Sequence, residues 1–127
     1  MFTHLLTIGW SSGNSQISTQ LALQADGETN AEIAVAAGAT DKVVNLPIDV
    51  SALKSLMILS DKAVTIKTNS AGAPDDTIDV AAGVPVLWWN GAVGSNPLTV
   101  DVVTLHIANA GADNAVVQIR ALQDVTP

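Results

Sequence analysis

Alternation with a period of two runs through most of this chain, and it limits the fold more than any other feature. Successive side chains of an extended strand point to opposite faces, so a half-buried strand reads apolar at every second position. In VVTLHIA, Val103, Leu105 and Ile107 alternate with Thr104, His106 and Ala108; in AVVQIRAL, Val117, Ile119 and Ala121 stand opposite Gln118 and Arg120. ISTQLAL puts Ile17, Thr19, Leu21 and Leu23 on one side, and AEIAV puts Ala31, Ile33 and Val35 there. KVVNLPI offers Val44, Leu46 and Ile48, and AVTIKTN offers Val64 and Ile66.

Turn-forming groups separate these runs: Asp26-Gly27, Ala37-Gly38, Ser60-Asp61-Lys62, Ala71 to Pro74, Gly94 to Pro97 and Gly111 to Asn114. Asp26-Gly27 reads as a hairpin turn. Eight or nine short strands at this spacing predict an all-β fold, a single antiparallel β-sandwich of jelly-roll type. Helix is confined to one short turn near 49–55, where Asp49 or Ser51 can cap it. VAAG occurs twice, at Val35 to Gly38 and Val80 to Gly83, and reads as a chance match in an alanine-rich chain.

A length of 127 residues suits one domain with one self-sufficient core. The first fifteen residues stand apart. Phe2, Leu5, Leu6, Ile8 and Trp10 form an apolar run, and Ser11-Ser12-Gly13-Asn14-Ser15 follows as a flexible hinge. Residues 1–15 therefore read as an N-terminal arm or first strand, and 16–127 as the sandwich.

GVPVLWWNGAVGSNP raises a separate question. As a strand it directs Val84, Val86 and Trp88 to one face and Pro85, Leu87 and Trp89 to the other, so both faces are apolar. Pro85 cannot donate a ladder hydrogen bond, which puts the strand at a sheet edge. An edge strand apolar on both faces needs a cover.

Few chemistries fit the remaining residues. There is no cysteine, so thiolate catalysis, thiolate metal sites and disulfides are out. His4, near the terminus, and His106, on the polar face of a strand, lack a nucleophile setting and read as solvated strand histidines. Asp75, Asp76 and Asp79 could offer oxygens to a hard cation, but their spacing matches no calcium loop and reads as an acidic turn entering a strand. No glycine pattern makes a phosphate loop. Twelve acidic against five scattered basic side chains, net −7, argue against nucleic acid. No apolar run is long enough for a membrane helix, and MFTHLLTIGW lacks the basic start of a secretory signal, so the chain reads as made in the cytoplasm. No catalytic residue, cofactor or metal site is expected.

What is left is surplus apolar surface: 13% charged residues and a mean hydropathy of +0.37 are unusual for a lone soluble domain. The expected interface residues are Phe2, Leu6, Ile8 and Trp10 from the arm and Leu87 and Trp89 from the VPVLWW strand. A rival reading is a carbohydrate-binding module that stacks a sugar on Trp88 or Trp89.

Three phrases, NLPIDVSALKSLMILSDKAVTIKTNS, APDDTIDVAAGVPVLWW and VTLHIANAG, lie within residues 21–112. In pattern this stretch resembles the capsid decoration, or cement, proteins of tailed bacteriophages. The resemblance implies a compact β domain, a trimer on the capsid exterior that clamps subunits of the major capsid protein, an N-terminal arm taking part in contacts, and no active site. A virion location, a homo-oligomer and the capsid protein as partner are thus the expectations for this chain.

Overall fold

The structure is a computed structural model and describes residues 1–124; residues 125–127 of the expected domain lie outside the described residues. It is all-β, with one 3-10 turn at Val50–Ala52. The strands are β1 (Phe2–Ser12), β2 (Ser15–Ala25), β3 (Gly27–Val35), β4 (Lys42–Ile48), β5 (Leu53–Ser60), β6 (Val64–Thr68), β7 (Thr77–Val80), β8 (Val86–Trp89), β9 (Val102–Ala108) and β10 (Ala115–Gln123).

Strands β3 to β10 form two four-stranded sheets, ordered β3-β10-β5-β8 and β4-β9-β6-β7, with every pair antiparallel. The first of these eight strands pairs with the last, and the chain changes sheet at every step except β6 to β7. That is the strand order of a jelly roll, so the expected sandwich is the observed one. Its core is built from the alternating positions: Val35, Leu56, Val117 and Ile119 from one sheet, Ile66, Val80, Leu105 and Ile107 from the other, all nearly or completely buried. Strands β1 and β2 make a separate two-stranded ladder outside both sheets.

Local signals explain most boundaries. Asp49 caps the 3-10 turn, its Oδ1 accepting from the Ser51 backbone N–H at 3.0 Å and the Ser51 hydroxyl at 2.6 Å. These bonds, the Ser51 hydroxyl first, hold the Asp49 carboxyl below its ordinary pKa. The two VAAG phrases do the same structural work. Each begins with the buried last valine of a strand, and each closes a turn: Ala39 N–H donates to the Ala36 carbonyl and Val84 N–H to the Ala81 carbonyl. Gly38 and Gly83 take φ of 74° and 71°, the left-handed third position of a type II turn. Both turns carry the chain from one sheet to the other.

Three expectations change. Asp26-Gly27 is not a hairpin turn: β2 and β3 belong to different sheets, and the chain bends at Asp26 to leave the ladder and enter the sandwich. Ser11 to Ser15 are not a hinge. Ser11 and Ser12 close β1 and Ser15 opens β2, leaving Gly13-Asn14 as a two-residue loop with Gly13 at φ 57°, as a tight II′ hairpin requires. The arm thus runs on through Ala25. Val103 does not share the core face with Leu105 and Ile107. The register between β4 and β9 shifts between Asn45 and Ile48, so Val102 is buried and Val103 is 67% exposed.

The hairpin and the cleft at its base

The β1–β2 register places Phe2, His4, Leu6, Ile8 and Trp10 opposite Ala25, Leu23, Leu21, Thr19 and Ile17 on one face. The other face carries Thr3, Thr7 and Ser11 with Gln16, Ser18, Gln20 and Gln24, and only Leu5 and Ala22 break its polarity. Two cross-strand bonds stitch that polar face, Gln20 Nε2 to Thr7 Oγ1 and Gln24 Nε2 to Thr3 Oγ1, each 3.3 Å.

The base of the hairpin is docked. β2 packs against β10 and β5, so the ladder crosses the outer face of the first sheet instead of extending it. Leu122 points to that outer face and is nonetheless fully buried, as is most of Ser55 beside it. Glu28 latches the crossing: its carboxylate accepts from His4 Nε2 of the hairpin and from Asn30 Nδ2 of β3, both at 2.6 Å. The distal half is undocked. Ile17 and Trp10 are 73% and 77% exposed, and Ile8 is exposed beside them.

Between hairpin and sheet lies a cleft of about 420 Å³. Its floor is one row across the sheet, Asn30, Arg120, Met57 and Leu87, aligned by the β3-β10-β5-β8 registers. Leu5, Leu6 and Leu23 overhang it from the hairpin. Among the described residues Arg120 is the one lysine or arginine lining it, and Nη1 donates to two neutral acceptors, the carbonyls of Ala31 (3.3 Å) and Ile119 (3.0 Å). Among the described residues Arg120 makes no ion pair, whereas Lys54 and Lys62 sit beside Asp124 and Asp113.

This arrangement answers the question raised by VPVLWW. The strand is indeed an edge, beginning at Val86 just after Pro85. Val86 and Trp88 pack on the core, and Leu87 lies under the hairpin of the same chain, while Trp89 is half-buried on the outer face opposite Ser55. The two indoles therefore face opposite ways and form no joint platform. Of the six expected interface residues, Leu6 and Leu87 meet at one cleft within the chain. Phe2, Ile8 and Trp10 stay exposed on the hairpin.

Ile17, Leu23, Met57 and Arg120 read as ordinary strand positions and Leu5 as part of an apolar run, and none of them was expected at a contact or a cleft. A signal for the hairpin was present: Met1 to Ala25 contains no Asp, Glu, Lys or Arg, and every one of those side chains lies from Asp26 onward.

The other polar groups are spent on structural bonds. Asp75 accepts from Asn69 and Asp76 from the Thr99 backbone and hydroxyl, bracing loops, while Asp79 accepts from Thr65 across the β6–β7 ladder, so the three carboxylates work separately. His106 is not the solvated histidine expected: its ring is largely covered and bonds Asp41 through Nδ1 and Thr104 through Nε2. No group of three metal-ligating side chains occurs among the described residues. Nor is any helix there long and apolar enough to cross a membrane.

No family model matches the chain, and no curated protein does. A solved structure described as Bacillus endospore appendages, a family of disulfide-linked pili, aligns over 84% of this chain and 100% of its own at 21% identity and a TM-score of 0.38. A likeness at that level carries no argument about this chain.

Proposed function

We propose that this chain is a non-enzymatic structural protein that works by assembly: a homo-oligomer, most simply a trimer, that decorates and cements a phage capsid lattice from outside. The observation that carries the reading is the undocked half of the hairpin, a ladder without Asp, Glu, Lys or Arg that leaves Ile8, Trp10 and Ile17 exposed on one face of a chain whose core is already complete without them. Exposed apolar surface of this kind on a folded domain favours a partner. The mechanism is thermodynamic. A copy that bridges shell subunits binds only the assembled state and so stabilises it by mass action, and a trimer gains further from multivalent attachment.

The test has two steps. Absolute mass in solution across a dilution series is expected to be near three times 13.0 kDa. The oligomer is then mixed with capsids lacking a decoration protein, and sedimentation with the shells together with higher shell melting temperatures is the expected result. Failure to co-sediment at any salt concentration contradicts the capsid role.

A further inference from the structure

We infer that the cleft under the hairpin base receives the hairpin tip of a second copy, with the Trp10 indole of one copy entering between Leu6, Leu23 and Leu87 of the next and lying against its Arg120 guanidinium. This rests on the assembly reading above and names the contact that would drive it.

Charge selects the hairpin as the element that meets another copy. Each sandwich carries all twelve acidic side chains and a net negative charge, so two sandwich surfaces brought together repel, whereas the ladder from Met1 to Ala25 brings no acidic side chain to an acidic neighbour. Charge also matches tip to cleft. Among the described residues the Arg120 guanidinium in the cleft has no carboxylate partner and is set among leucines and a methionine, and the tip offers a tryptophan ring, whose face attracts a guanidinium. The cleft, about 420 Å³, has room for such a ring.

The same ladder prevents a copy from filling its own cleft. Trp10 stands four residues beyond Leu6 on one face of β1, about 14 Å along the strand, and continuous pairing with β2 keeps that segment extended. Tip and cleft are thus different surfaces at the two ends of one rigid element. The contact can therefore be repeated head to tail from copy to copy, and such a chain of contacts closes into a ring when the rotation per copy allows, three copies giving the trimer.

The experiment measures absolute mass against concentration for the full chain and for Trp10→Ala, Leu87→Asn and Arg120→Gln, with circular dichroism to check that each variant keeps its β fold. Each substitution is expected to raise the concentration needed for assembly about 30-fold or more, as for loss of an interface anchor. Mixing Trp10→Ala with Leu87→Asn supplies one intact cleft and one intact tip, so the mixture should stop at a species of two chains. If Leu87→Asn and Arg120→Gln assemble normally while Trp10→Ala does not, tips pack on tips and the inference is overturned. If all three variants assemble like the parent, the contact lies elsewhere and the inference falls while the assembly reading stands. A parent chain that is monomeric at every concentration removes both.

Discussion

The hairpin and the sandwich follow the same alternation rule with opposite outcomes. In β10 the apolar positions Val117, Ile119 and Ala121 are essentially inaccessible; in β2 Ile17, at an equivalent point in an equally regular pattern, is 73% exposed. The sandwich has a second sheet to face, and the distal hairpin has nothing. The sandwich carries every Asp, Glu, Lys and Arg, and the hairpin carries none of them. Period two therefore states that a strand has an apolar face, and topology decides whether that face is core or contact surface.

This contrast can be broken by mutation. Ile107→Ala, in the centre of the core, should cost about 2–5 kcal/mol in chemical denaturation, the usual range for truncating a fully buried isoleucine. Asn109→Ala should cost about 1–3 kcal/mol. The side chain of Asn109 is fully buried, donates to the carbonyls of Val35 and Asp113 and accepts from Gly111 N–H, and its loss removes these bonds, the one to Val35 being buried. Gly38→Ala should cost about 1–2 kcal/mol through backbone strain alone, since nothing crowds the new methyl. Ile17→Ala, measured on dilute protein, should stay within about 0.5 kcal/mol of the parent. A large loss there would mean that the distal hairpin supports the fold.

The smallest effect is expected at Asp49. Its pKa is lowered in the folded chain, so its cap contributes above the ordinary carboxylate range and is lost as pH falls through the lowered value. Asp49→Asn should remove that component from the acid limb of a stability–pH curve and leave the neutral region nearly unchanged.

Much of this was legible in the residues. Alternation located the sandwich strands, Pro85 put VPVLWW at an edge, and Asp49 marked the single 3-10 turn. What escaped depended on pairing across distance. Val103 left the core face because β4 and β9 shift register, which neither strand shows alone. Gly13-Asn14 became a tight loop because LLTIGW finds its partner in ISTQLAL, and a serine-rich stretch reads the same whether it bends freely or is held by eleven paired residues on each side. The cleft was out of reach for the same reason, since Asn30, Arg120, Met57 and Leu87 become neighbours only through three strand registers.

The most direct test of the central claim is hydrogen–deuterium exchange of the full chain, compared at concentrations below and above the onset of assembly. The account predicts that amides of residues 8–19 slow markedly on assembly, with a smaller change at the sheet row beneath the cleft, while the buried β9 and β10 amides are equally protected in both. Protection gained on the outer face of the β4-β9-β6-β7 sheet, with the hairpin amides unchanged, would contradict it.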